Sequence, residues 1–282
     1  MQLTRRVLRS GFGFVRFTDF KEYLQLRKII RDPWTFVQLR KHNTYPFDRL
    51  FEIRFLDGYS VFIRPATADL NLFRRIFLRD EYRLTSLTKT PLECIIDIGG
   101  HIGLFTVRIA PFAKRVLTFE PVIENYALLR KNLQSDYFSH VQTFQAAVAD
   151  KNCELKIYCS ERDYSTGGNS AFPKDYNGSR NFERVKGVSL AQVFADHNIE
   201  SCDLLKLDCE GSEYPILYNV NIDILRKIKR IHMEYHGREN INPRWNGDHL
   251  RVYLESKGFL VDLVPSAKPP GRGHMFCWRH SY

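Results

Sequence analysis

No apolar run in the chain approaches the ~18–20 residues that a membrane-spanning helix requires, and there is neither an internal repeat nor a low-complexity segment. The six cysteines (Cys94, Cys153, Cys159, Cys202, Cys209 and Cys277) form no CxxC pair and no even ladder of spacings. That argues against a zinc site and a disulfide framework, and leaves them as small apolar residues. Recognition modules for nucleic acid are missing too, so no specific nucleic-acid partner is expected. The N-terminal stretch MQLTRRVLRSGFGFVRFTDF carries arginines but no long apolar segment. It does not read as a signal peptide, and a cytoplasmic location is the expectation.

What is present is an ordinary globular composition over 282 residues, 44% hydrophobic and 26% charged, with ample material for a core. The net charge of +10 is uneven: residues 1–90 hold 18 lysines and arginines against 9 acids, and the remainder is close to neutral. A basic segment of this kind solvates a surface, or meets an acidic substrate or an anionic membrane peripherally. Within it, KEYLQLRKII and PWTFVQLRK space apolar residues for helices, FEIRFLDGYSVFIR reads as a hairpin around Asp57-Gly58, and DLNLFRRIFLRDEY reads as a helix from Asp69. Pro91 marks a boundary, giving an N-terminal extension over 1–90 and a second domain over 91–282.

From Leu92 the pattern alternates strand and helix: CIIDIG, GLFTVRIAPFA, RVLTFEP, ENYALLRKNLQ, then HVQTFQAAVA as one third strand. After a short strand at ELKIYCS, the segment 160–182 reads as a polar loop. VSLAQVFADHN is a helix, DLLKLDC a fourth strand, YPILYNVNIDILRK one helical stretch and RIHMEYH a fifth strand. HLRVYLESKG is a final helix, and FLVDLV and HMFCWR can pair as an antiparallel hairpin. The expected fold is α/β, with a mostly parallel sheet covered by helices on both faces.

Chemistry concentrates at the strand ends. DIGGHIG, residues 97–103, turns the first strand into a helix, and glycines there let backbone N–H groups approach a ligand. A dinucleotide fingerprint would need glycine at position 98, which is Ile98. That weakens an NAD-dependent nucleotide-sugar oxidoreductase as an alternative. Asp97 suits a cationic or α-amino group better than a pyrophosphate. Glu120 ends the second strand in FEP, where ribose hydroxyls sit in nucleotide-binding α/β folds. Together the two acids point to a nucleoside site.

IIDIGGHIGLFT, FEP, AAV and LLKLDCEGSEYPIL resemble the FkbM family of S-adenosylmethionine-dependent methyltransferases over roughly residues 92–265. The resemblance implies a class I, Rossmann-like fold with a seven-stranded sheet, and S-adenosylmethionine held by Asp97, Gly99, Gly100, His101, Gly103, Glu120, Pro121 and Ala147. The family usually has asparagine where this chain has His101. It also implies that the fourth-strand block faces the methyl group and its acceptor, with Asp208, Lys206 and Glu210 catalytic and Glu213 structural. His236, from HMEYH, reads as a metal-free base, as a divalent-ion ligand together with Asp208 and Glu234, or as a satisfied polar residue at the sheet rim. Methyltransferases acting on nitrogen commonly carry an Asn/Asp-Pro-Pro-aromatic motif where this chain has DCEG, which favours oxygen as acceptor. The resemblance implies a hydroxyl of a glycan, glycolipid or natural product, with the N-terminal segment and loop 160–182, including Asn169 and Ser170, shaping its site. A non-catalytic nucleoside-binding module is the rival reading; oligomeric state is not legible.

Overall fold

The computed structural model describes residues 8–9, 14–15, 17–42, 49–159, 167–172, 182–267 and 270–279. In the N-terminal region β1 (Leu8–Arg9) pairs with β2 (Phe14–Val15), and α1 (Phe17–Leu26) and α2 (Pro33–His42) follow. β3 (Phe51–Arg54) and β4 (Ser60–Ile63) then form the expected hairpin. Gly58 supplies its turn with a φ of +95°, a conformation costly for other residues. α3 (Asp69–Phe73) does not continue as one regular helix: it widens into a π-turn over Arg74–Leu78. Such wide turns occur disproportionately at functional sites, and this one carries Arg75, which lines the site described below.

The rest alternates strand and helix: β5 (Leu92–Ile98), α4 (Leu104–Ile109), β6 (Ala113–Phe119), α5 (Ile123–Asn132), β7 (Val141–Phe144), β8 (Ala147–Ala149), β9 (Cys153–Tyr158), β10 (Phe182–Ser189), α6 (Leu190–Asp196), β11 (Leu204–Leu207), α7 (Glu213–Asn219), α8 (Ile222–Lys227), β12 (Arg230–His236), α9 (Gly247–Ser256), β13 (Leu260–Pro265) and β14 (Arg272–Trp278). Seven of the strands make one sheet in the order β7-β6-β5-β11-β12-β14-β13. Its pairs are parallel as far as β12, and β14 runs antiparallel to both β12 and β13. This is the Rossmann-like sheet with a reversed C-terminal hairpin that the sequence implied.

Three local expectations change. The third strand is two, because the chain leaves the main sheet after Phe144 and β8 joins a second sheet, β8-β10-β9. β10 begins where the polar loop was expected to end, covers 183–187, and takes Val188 and Ser189 from the start of the expected helix. Its alternation is masked by exposed Arg184 and Lys186, and only Val185, Gly187 and Val188 are buried. The stretch from Tyr214 breaks at Val220, which is extended, and Asn221 restarts it as an N-cap by accepting from the Asp223 amide.

Residue alternation along the strands splits the core in two. Ile95 and Leu204 face one cluster with Phe36, Phe55, Phe73, Leu104 and Leu129, so the N-terminal region and the sheet share one continuous core. Ile96, Ile98, Leu205 and Leu207 face the other, with Phe194, Tyr214, Leu225 and Leu254. The cores fix the strands from both sides, and the carboxyl ends of β5, β6, β11 and β12 open together onto one edge.

Candidate active site

The turn after β5 is built by close approach. A side chain on Gly99 would place its Cβ 1.9 Å from the Asp208 carbonyl oxygen, and its φ is +79°, so only glycine fits. Gly100 sits against Thr118 and Leu129, and Gly103, with φ +85°, is the N-cap of α4. His101 also adopts positive φ, +51°, and its backbone N–H donates to Glu120 Oε2 at 2.8 Å. The His101 ring lies 3.5 Å from an Arg64 nitrogen and 3.7 Å from Asp69. Burial, with Arg64 and Lys206 acting in the same direction, lowers its pKa against the pull of Asp69.

Beneath this turn lies a buried ion pair. Asp97 and Lys206 are register partners in the parallel β5/β11 ladder, and their charges meet at 3.0 Å. The other Asp97 oxygen accepts from Thr106 Oγ1 at 2.7 Å and Thr118 Oγ1 at 3.3 Å. Lys206 Nζ also donates to the carbonyls of Gly99, at 2.7 Å, and Ile98, at 3.3 Å. Both side chains are buried and neither lines the cavity. Their place is therefore structural: they tie the glycine turn down from below, and Lys206 raises no donor towards an acceptor.

Above the strand ends is a cavity of about 560 Å³, within the usual size of a cofactor site. Gly99, His101, Glu120, Pro121 and Ala147 line it, whereas Asp97, Gly100 and Gly103 support it from behind. Glu120 accepts from the amides of His101 and Val122, at 2.8 and 3.0 Å. Burial nevertheless pushes its carboxyl up to about 7. β9 contributes Leu155 and Ile157, and the N-terminal region contributes Ala68, Asn71, Leu72 and Arg75.

At the other end, the register puts Asp208 beside Glu234, one step beyond the Leu207–Met233 pair. Asp208 Oδ2 accepts from the buried Tyr82 hydroxyl at 2.7 Å. Burial would raise the Asp208 carboxyl, but Lys206, His236 and Arg75 prevail and hold it down at about 2. Glu210 has φ +52°, and its carbonyl is held by Ser170 Oγ at 3.0 Å and Arg238 at 2.8 Å. Its carboxylate stands 3.5 Å from His236 Nε2 and 3.6 Å from Arg272. Burial, reinforced by Asp208 and Glu213, pushes it up to about 7 against His236 and Arg272. Glu213, fully buried, accepts from the amides of Cys209 and Gly211, both at 2.9 Å, and meets His236 Nδ1 at 3.1 Å. Burial alone would lower the imidazole pKa. Glu213 and Glu210 more than offset it and raise it to about 9.

The structure thus brings Asp208, Glu210, Glu234 and His236 together, but changes one role. Glu213 on Nδ1 and Glu210 facing Nε2 raise the His236 pKa, which favours a charged imidazole that orients Glu210 over a free base. Ligand atoms of Asp208, Glu234 and His236, the trio named for a divalent ion, lie within 4.8 Å of one another. Glu234 is also paired with Arg75, which bridges it to Glu81. Of the pocket residues suggested in the loop 160–182, Asn169 lines the cavity and Ser170 holds the Glu210 turn; residues 160–166 and 173–181 lie outside the described residues.

Arg75, Tyr82 and Arg272 were not legible from the strand ends. Arg75 meets Glu234 across 159 positions and Tyr82 meets Asp208 across 126, and no spacing rule joins such distant residues. Phe172 and Trp245 also line the cavity, with ring centroids 5.6 Å apart.

Comparison with known proteins adds four likenesses. The Methyltransferase FkbM domain family matches residues 97–261. The chain is 24% identical over 245 residues to the AMB antimetabolite synthetase AmbE of Pseudomonas aeruginosa, covering 73% of this chain but only 11% of that much longer protein. It is 26% identical over 221 residues to methyltransferase sdnD of Sordaria araneosa, covering 67% of this chain and 82% of that one. Among solved structures, the FkbM methyltransferase of Methylobacillus flagellatus aligns with 74% of this chain and 53% of its own, at 14% identity and a TM-score of 0.43.

Proposed function

The chain belongs to the FkbM methyltransferase family, and we propose that it is an S-adenosylmethionine-dependent O-methyltransferase acting on a hydroxyl of a glycan, glycolipid or natural product. The residues present fit the methyl donor. Glu120 at the end of β6 suits ribose hydroxyls, Gly99 leaves the backbone open, and Pro121, Val122 and Ala147 offer an apolar wall. When bound, the donor supplies an electrophilic sulfonium methyl.

The observation that carries the oxygen assignment is Glu210. Attack by a hydroxyl requires a group that takes its proton in the transition state, and a carboxylate with a pKa close to working pH does this best. Glu210 is on the cavity wall with its carboxyl at about 7. Asp208, held near 2, is a poor proton acceptor and instead orients the incoming hydroxyl by accepting its hydrogen bond. His236, charged and fixed by Glu213, keeps Glu210 in place and ionisable. Lys206 acts indirectly, by holding the glycine turn and by its field on Asp208.

Calorimetry with S-adenosylhomocysteine tests the donor site. The wild type should bind, and Glu120→Gln should bind about 10–100-fold more weakly, as expected for losing a charge-assisted acceptor. Labelled methyl transfer to a panel of hydroxyl and amine acceptors then tests the chemistry. Equal binding by Glu120→Gln, or transfer confined to amines, would overturn the proposal.

A further inference from the structure

α1 sorts its charges by side. Its acids face inward: Asp19 and Glu22 are 2% and 6% exposed. Both are neutralised there, Asp19 by Arg40 at 2.5 Å and Glu22 by Arg74 at 2.7 Å and Arg40 at 3.3 Å. Leu26 and Ile30 continue this inward stripe into the core. The outward face of α1 carries Phe20, Lys21 and Leu24, and the exposed cations Arg27, Lys28 and Arg31 follow directly in the turn that leaves it. Phe20 is 39% and Leu24 37% exposed. Leu56, 50% exposed, lies beside the turn after α1, its backbone N–H donating to the Ile29 carbonyl at 2.9 Å. Among the described residues, Lys21, Arg27, Lys28 and Arg31 make no ion pair, and the nearby acid Asp32 is taken up by Arg54 at 2.5 Å.

We propose that this outer face of α1 docks the protein peripherally on an anionic lipid surface. An apolar centre ringed by cations is the layout of a helix lying in the interface plane, its apolar side chains among the acyl boundary and its cations among the headgroups. A soluble polyanion such as RNA would use the cations but gain nothing from exposed Phe20 and Leu24. A second copy of the chain would bring like charge against like. The sequence leading into α1 points the same way, since residues 1–16 contain four arginines and no acid. Turning both acids of α1 inward leaves the outer face purely positive, and charge complementarity then selects the partner.

The test is flotation of the full chain with vesicles of phosphatidylcholine alone and of phosphatidylcholine with phosphatidylserine. Binding is expected only to the anionic vesicles, and to weaken with salt. Lys28→Gln should weaken it about five-fold, and replacing Lys21, Arg27, Lys28 and Arg31 together by glutamine should weaken it roughly a hundred-fold or more. A Phe20→Ser/Leu24→Ser pair should also release the protein. These side chains lie outside the cavity, so retained S-adenosylhomocysteine binding reports intact folding in each variant. Equal binding to both vesicle types, no binding to either, or anionic binding that survives all the variants would overturn the proposal. So would a loss confined to the charge variants with the apolar pair unchanged, which would assign the face to a soluble polyanion. RNA binding in place of vesicle binding would do the same.

Discussion

Replacing His236 by glutamine removes one positive charge 3.5 Å from the Glu210 carboxylate. At an effective dielectric of about 20 that attraction amounts to about 5 kcal/mol before relaxation and water entry, and an opposite charge at this range moves a carboxyl by about 1–3 pH units in practice. The direction is upward, because the imidazolium favours the ionised form of Glu210. Catalysis needs Glu210 ionised, so in the wild type kcat/KM should rise with pH through about 7. In His236→Gln the same limb should lie about 1–3 units higher. At pH 7 the ionised fraction then drops by about five-fold for a one-unit displacement and about 500-fold for three, with activity recovering at alkaline pH. Glu210→Gln should abolish the limb and lower the plateau by about 10²–10⁴.

The assay is the pH profile of labelled methyl transfer to the best acceptor in the panel. Carbon NMR of labelled glutamate side chains follows Glu210 directly and needs no acceptor. Because Glu210, His236 and Asp208 interact closely, the observed midpoint belongs to the cluster, and the comparison between variants carries the inference. A limb that stays put in His236→Gln, or that persists in Glu210→Gln, would refute Glu210 as the base.

Three further variants probe the scaffold. Lys206→Met strands Asp97 as a buried charge with no counter-ion, and should cost about 3–5 kcal/mol in denaturant unfolding; a loss under 1 kcal/mol would mean that the pair does not hold the turn. Gly99→Ala should abolish S-adenosylhomocysteine binding, since its methyl would collide with the Asp208 carbonyl oxygen in a backbone conformation alanine resists, and wild-type affinity in calorimetry would contradict that geometry. Tyr82→Phe removes the hydroxyl that donates to Asp208. The Asp208 carboxyl should rise from about 2 and turnover should fall roughly ten-fold or more with donor affinity unchanged, whereas an unaltered kcat would show that Asp208 needs no positioning.

The strand–helix alternation, the reversed hairpin and the acids at the strand ends were legible because each depends on local pattern. Apolar runs of strand length, glycines at a turn and alternation along HMEYH all act within a few residues. The roles of those acids were less legible, because a charge's role depends on what surrounds it. Asp97, expected to face a ligand, is the interior partner of Lys206, directly across from it in the ladder. His236 reads as a base from the sequence, and Glu213 and Glu210, which both reach it, favour its charged form. Glu213, expected to be structural, is a buried cap on the Cys209 and Gly211 amides that also fixes the imidazole. β10 is not legible in the sequence because it belongs to the small second sheet, where few of its residues are buried.

The charge at the end of β11 therefore has two layers with separate jobs. The lower layer, Asp97 with Lys206, is sealed between the sheet and the N-terminal region, with the rings of Tyr82 and Phe105 5.7 and 5.5 Å from the Lys206 ammonium. Its neutrality makes burial tolerable, and its spare donors hold the glycine turn. The upper layer has more acids than bases: Asp208, Glu210, Glu213, Glu234 and Glu81 against His236, Arg75 and Arg272. An excess of buried negative charge raises whichever carboxyl is least well paired. Asp208 has Lys206 below it and Tyr82 beside it, and Glu234 has Arg75. Glu210 meets its cations only at 3.5 and 3.6 Å, so the surplus proton affinity collects there. Arg75 and Tyr82 come from before residue 90, so the N-terminal region, by pairing Glu234 and Asp208, helps to determine which carboxyl on the cavity wall is left to titrate near neutral pH.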